Sequence, residues 1–191
     1  MRTANILETY NEVKDAMMRG KDISFEICTT AENEQAGDKA SEQASDKLSQ
    51  YHIGEPYSIN GKIVGVISAM TIIDDKVYVQ VTALKDLCNG VNWYEACEKA
   101  ENLTNGFRLP TKLDICLWTA NAEKINSALE KYGTPFEEDS YYWSSSEYGL
   151  TNAWVFCTGT GASQGGVSYN LKDYDYRYGV VRPVLAFTLS L

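Results

Sequence analysis

Histidine and positive charge are scarce in this sequence. One histidine, His52, occurs in 191 residues, and 17 lysines and arginines stand against 26 acidic side chains, for a formal net charge of −9. A lone histidine leaves little room for a Ser-His-Asp or Cys-His machine. His52 lies in "SQYHIGEP" with no nucleophile motif beside it, and reads as structural. The acidic excess argues against a nucleic-acid partner or an anionic membrane surface. No apolar run approaches the roughly 20 residues of a membrane span, so no membrane insertion is expected. The opening residues, "MRTANILETYNEVKDAMMRGK", carry charges throughout and lack an apolar h-region and a small-residue cleavage site, so they read as no signal peptide. The five cysteines (Cys28, Cys88, Cys97, Cys116, Cys157) are odd in number and show no CxxC spacing. Buried reduced thiols are expected rather than a zinc site; Cys88 and Cys97 are the pair that could be oxidised instead. No metal and no cofactor is expected.

The length fits one domain, or one domain with an appendage, and is enough to bury a core without disulfide staples. Residues 5–19 read as an amphipathic helix, with Asn5 and Glu8 at capping-box spacing and Ile6, Leu7, Tyr10, Val13 and Met17 on one stripe. "DISFEIC" alternates as a half-buried strand. The polar stretch from Thr29 to Gln50 contains one leucine and no aromatic residue, and reads as a linker-like insertion. "KIVGVISAM" and "KVYVQVTAL", separated by Asp74-Asp75, read as a strand pair. A helix is expected from Trp93 behind an Asn92/Glu95 cap, stopping at Gly106. A second is expected behind a Thr111/Asp114 cap through Trp118, and a third from about Ala122 to Tyr132 with Gly133 as its C-cap. From Tyr141 the pattern is strands and turns, ending on "YGVVRPVLAFTL" as one long apolar strand that should pair with an early one.

Within that C-terminal half, "YYWSSSEYGLTNAWVFCTGTG" sets two tryptophans and three consecutive serines beside a loose Gly/Thr/Asn string. Tyr148, Tyr169, Tyr174, Tyr176 and Tyr178 lie among Ser, Gly, Asn, Thr and Asp. That palette suits recognition surfaces, because Tyr gives broad amphipathic contact at low entropic cost while small polar residues adapt their hydrogen bonds. In "KDYDYRY", alternation puts Tyr174, Tyr176 and Tyr178 on one face of any strand. From the residues alone two readings stand. These rings form a binding face, or they cover the sheet as ordinary core or as a dimer contact.

The series "VNWYEACEKAEN", "FRLPT", "YWSSSEY", "AW" and "VVRPVLAF", in that order, resembles the bacterial and phage branch of the C-type lectin fold. That branch contains formylglycine-generating enzymes and the variable proteins of diversity-generating retroelements. The resemblance covers roughly residues 52–187 and is nearest to the retroelement variable proteins of gut Bacteroides and their phages. It implies an α+β fold, with two or three helices on small antiparallel sheets. Residues 52–191 would form the C-type-lectin-like domain and residues 1–51 a helix, strand and polar extension. It further implies a ligand-facing region at about 148–179, with Trp143 and Trp154 as core anchors and Ser144 to Ser146 as turn and backbone-bonding groups. The ligand-facing positions would be Gly149, Leu150, Thr151, Asn152, Val155, Cys157, Val167, Ser168, Asn170, Tyr174, Asp175 and Tyr176. All hold residues that an Asn codon yields when its adenines are replaced, whereas Trp154, Gln164 and Lys172 cannot arise that way and should belong to the frame.

The implied function is non-catalytic recognition of a protein or glycan on a target surface, on a virion or displayed at a cell surface by another component, with a homo-oligomer as a further possibility. Formylglycine generation needs a C-terminal cysteine pair, and Cys157 stands there alone with Cys116 in a helix. Calcium-dependent sugar binding uses carbonyl and carboxylate sets that "GEPYS" and "TNAW" do not reproduce; Asp173 and Asp175 could ligate a cation through oxygens, or form a solvated acidic turn. A sugar ligand without calcium stays open. So does a fixed-sequence adhesin or virion part.

Overall fold

Alternating runs and capping motifs become two helices and eight strands in the computed structural model, which describes residues 51–73, 76–159, 166–173 and 179–190. The expected helix at 5–19, the strand and insertion before Tyr51, Cys28, the Asp74-Asp75 turn, Gln164 and Tyr174 to Tyr178 lie outside the described residues. Strands β1 (Pro56–Ile59), β2 (Lys62–Ile73) and β3 (Lys76–Ala83) come first. Helices α1 (Trp93–Glu101) and α2 (Lys112–Tyr132) follow, then strands β4 (Tyr141–Tyr148), β5 (Asn152–Cys157), β6 (Gly166–Leu171), β7 (Gly179–Val180) and β8 (Val184–Ser190). One sheet has the order β1-β2-β3-β8 and is antiparallel throughout; the other is β6-β5-β4-β7, with only β4 and β7 parallel. The described chain is therefore mixed α+β.

A hairpin precedes the expected strand pair, and its signal is local. Ile59 pairs with Lys62 across Asn60 (φ 51°) and Gly61 (φ 76°). Two successive left-handed residues are what a two-residue type I′ turn requires, and Asn-Gly is its strongest sequence signal. The β2–β3 pair forms as expected, and β8 pairs with β3 from Lys76↔Ser190 to Thr82↔Val184, so the last strand does join an early one.

The capping boxes expected at Asn92/Glu95 and at Thr111/Asp114 are present, while the Asn5/Glu8 spacing lies outside the described residues. Helix α1 stops at Glu101, earlier than Gly106 suggested. Helix α2 corrects a second expectation, running unbroken through Trp118 and Ala122 to a C-cap at Gly133. No glycine or proline interrupts it. Its internal Thr119 and Asn121, which could have capped a new helix, instead donate back to the carbonyls of Ile115 and Leu117, both at 3.0 Å.

"YGVVRPVLAFTL" is not one strand but a crossing between sheets. Gly179–Val180 lies beside β4, Val181 bridges Cys88, and the chain resumes as β8 after Arg182 and Pro183. Arg182 is fully buried and explains the break. Its guanidinium pairs with Asp86 and donates to the carbonyls of Thr134 (2.8 Å) and Pro135 (3.2 Å), so the backbone must turn that side chain inward.

The main core fills the space between α2 and the two sheets, around Trp118, Ile115, Ile125, Leu129, Phe136, Tyr142 and Phe156. A second core, with Trp143, Val155, Cys157, Val91 and Leu109, occupies the other face of the β4–β5–β6 sheet. A third lies on the outer face of the first sheet, built on Ile67, Val77, Val79 and Val81. Among the described residues no helix is long and apolar enough to cross a membrane.

Candidate functional site: the overhanging end of the second sheet

"FRLPT" sets the start of α2 at a defined point. Asp114 is fully buried and accepts from Arg108 Nη1 (2.6 Å), Tyr78 Oη (2.7 Å), Gln80 Nε2 (3.1 Å), and both the backbone N–H and hydroxyl of Thr111 (2.7 Å each). Burial pushes this carboxyl up, but the hydrogen bonds from Arg108 and Tyr78, with the Arg108 charge, outweigh it and hold it below the usual carboxylate range. Burial and the neighbouring Asp114 push the Tyr78 phenol well above its ordinary value. The helix thus begins at Lys112, fixed from within by a satisfied polar knot.

The serine run ties the second sheet to that helix start. Trp143 pairs with Val155 and Glu147 with Ala153, so Ser144, Ser145 and Ser146 bulge against Trp154 alone. The Ser145 N–H donates to the Pro110 carbonyl (2.7 Å), and Ser146 Oγ accepts from the Lys112 N–H (2.9 Å). Trp93 Nε1 donates to the Ser144 carbonyl (2.7 Å). The expectation of backbone-bonding serines holds, but in a bulged strand rather than a turn.

Because α2 starts at Lys112, strands β4, β5 and β6 overhang it. On the helix-facing side, Tyr142, Phe156 and Val167 pack into the main core. Further along the same face come Tyr148, Trp154, Tyr169 and Leu171. Tyr148 and Tyr169 stack with ring centres 4.2 Å apart and planes 21° apart, and Trp154 stands edge-on to both at 4.8 and 6.2 Å. Lys112 Nζ lies 3.5 Å from the Trp154 ring centre, a cation–π contact. Tyr148 (43%), Tyr169 (51%), Leu171 (43%) and Leu150 (94%) are all exposed. Trp154, expected as a core anchor like the fully buried Trp143, is half-buried: it packs against the main core on one side and forms the inner edge of this ledge on the other.

The predicted ligand-facing positions divide. Gly149, Leu150 and Thr151 form the exposed β4–β5 turn, Gly149 at φ +77°, and Asn152 is half-buried beside them. Val167 is half-buried against the main core. Ser168 and Asn170 are half-buried on the opposite face, by strict strand alternation. Val155 and Cys157 are 0% and 2% exposed and sit in the second core. Burial pushes the Cys157 thiol up to about 11, against a hydrogen bond with Ser168, so it stays protonated at neutral pH and is a poor nucleophile. Tyr174, Asp175 and Tyr176 lie outside the described residues.

Tyr148 and Tyr169 of this ledge belong to the aromatic palette of the sequence, whereas Leu171 and Lys112 carry no motif that marks them. The alternation of "NAWVFC" is the available signal, since Asn152, Trp154 and Phe156 share one face. Cys88, Cys97, Cys116 and Cys157 are free thiols, and burial raises all four above the ordinary value. His52 is exposed, on a shallow groove with Glu55, Lys124 and Lys131. Among the described residues no cluster of three or more His, Cys, Asp or Glu side chains could hold a metal ion. No protein family matches the chain, and no curated protein matches it.

Proposed function

We propose that this chain is a non-catalytic binding protein with a C-type-lectin-like domain, whose C-terminal region is diversified by a retroelement for phage or cell-surface attachment. The observation that carries the recognition reading is the ledge of Tyr148, Trp154, Tyr169, Leu150 and Leu171 at one end of the second sheet. Exposed Tyr and Trp rings gathered in one patch are the side chains that anchor binding interfaces. The ligand would be a protein or a glycan on a target surface. The lectin-like assignment is supported by what its motifs do: "FRLPT" sets a helix start, "YWSSSEY" forms a bulged strand against it, and "VVRPV" crosses between sheets around a buried arginine.

The test is deep sequencing of this gene across a population of its source. Diversification requires substitutions to crowd into the codons between Tyr148 and Gly179, at adenine-derived positions, while "FRLPT" and "VRPV" stay constant. Evenly scattered changes would remove it. The second reading, a fixed-sequence adhesin or virion component of the same fold, gains from the burial of Val155 and Cys157. Random replacement at those positions would damage the core that supports the surface.

A further inference from the structure

Lys172 follows the last residue of β6 and is only 4% exposed. An ammonium group has three donors, and three acceptors meet it: Glu147 Oε2 at 2.5 Å, the Leu150 carbonyl at 3.1 Å and the Gly149 carbonyl at 3.4 Å. The Lys172 backbone N–H donates to the Thr151 carbonyl at 2.8 Å, and the Lys172 carbonyl accepts from the Trp93 N–H at 3.0 Å. The carbonyls of three successive turn residues are therefore all held by one lysine, which is itself held by the start of α1. The Lys172 ammonium also lies 4.8 Å from the centre of the Trp93 ring. These contacts engage only the backbone of the turn. The Leu150 side chain is 94% exposed, and a Cβ built on Gly149 would meet nothing within 4 Å.

We propose that Lys172 is the positioning residue of the recognition surface. It grips the 149–151 backbone from beneath, so the side chains at 150 and 151 can be exchanged without changing the shape on which they are presented. This rests on reading the overhanging end of the second sheet as ligand-facing. Gly149 is the exception within the turn: at φ +77° a β-carbon is strained wherever it points. Free exchange belongs to positions 150 and 151.

The experiment uses the full chain and needs no ligand: melting temperature together with residue-resolved amide exchange. Leu150→Ser, Leu150→Lys and Thr151→Val are expected to shift the melting temperature by about 2 °C or less. They should leave exchange at the amides of residues 172 and 93 within about two-fold of the parent. Lys172→Met is expected to speed exchange at those two amides at least about ten-fold, while Ile125 and Leu129 in α2 stay within about three-fold. Lys172→Arg keeps the charge but cannot place one donor centre among three acceptors. It should give an intermediate, several-fold effect, and supplies the reading should the methionine variant fail to fold. The proposal is overturned if the turn variants loosen residues 172 and 93 as much as the lysine variants do. It is equally overturned if the lysine variants speed exchange uniformly, as a merely structural ion pair would, or not at all. Because no ligand enters, this can fail while the recognition reading stands, and population sequencing can fail while this stands.

Discussion

One face of the β4–β5–β6 sheet has two ends, and they differ in a single respect. Toward one end Tyr142 and Phe156 pack against Trp118 and Phe136, with ring centres 4.9 to 6.2 Å apart, and are buried. Toward the other, Tyr148, Trp154 and Tyr169 pack with comparable ring spacings of 4.2 to 6.2 Å, and the two tyrosines stay open to solvent while Trp154 is half-buried. The strands are the same and so is the residue chemistry. What separates core from surface is where α2 begins, and the polar knot of Arg108, Thr111 and Asp114 decides that. An aromatic cluster stays partly open here because the helix that would cover it starts too late.

The sharpest way to break the comparison is to remove the central ring at the covered end. Trp118→Ala should cost about 4 kcal/mol, since it empties a fully enclosed site and orphans the Thr82 hydroxyl that accepts from Trp118 Nε1 at 2.6 Å. Chemical denaturation with an unchanged slope would measure it. A loss below about 1 kcal/mol would show that the two ends are not energetically distinct.

Next comes the knot that places the boundary. Asp114→Asn should cost about 3 kcal/mol, because it leaves the Arg108 charge without its buried partner. It should also change the acid limb of stability. The folded Asp114 carboxyl is held below its unfolded value of about 3.9. The stabilisation is therefore full above that pH and disappears as pH falls through the lower folded value. Asp86 opposes this, because burial raises its carboxyl despite Arg182, and protonation relieves that cost as pH falls. The parent should lose stability below about pH 4, while the Asp114→Asn variant loses distinctly less. Melting curves between about pH 2.5 and 6 would show parallel profiles if Asp114 is not responsible.

The smallest stability effect is expected at the open end. Tyr148→Ala and Tyr169→Ala remove a stacked pair worth about 1 kcal/mol, and should shift melting only slightly while leaving near-ultraviolet dichroism from Trp118 and Trp143 intact. A loss approaching that of Trp118→Ala would mean the ledge is core, and would favour the reading in which these tyrosines merely cover the sheet.

Much of this arrangement is readable in the chain. Caps at Asn92 and Thr111, the β2–β3 alternation and the apolar last strand all follow from local periodicity and side-chain-to-backbone geometry, which act within a few residues. The departures are equally particular. Helix α2 continues past Thr119 and Asn121 because tertiary burial of Trp118, Ile125 and Leu129 along one helix outweighs the weak preference of two polar residues for a cap. The resemblance puts Val155 and Cys157 toward the ligand, although alternation with Trp154 sets them on the other side of the strand. Which of two sides is core is not written in a strand that has both faces covered.

The sequence by itself determined the caps that begin the two described helices and the pairing of β2 with β3, because hydrogen bonds between neighbours along the chain need no distant partner. The tertiary structure alone decided that one lysine would sit beneath the 149–151 turn, that Arg182 would break the final strand, and that Tyr148 and Tyr169 would lie open while Tyr142 and Phe156 closed. Each of those depends on where α2 and the two sheets meet, and burial is a property of that meeting, not of any segment.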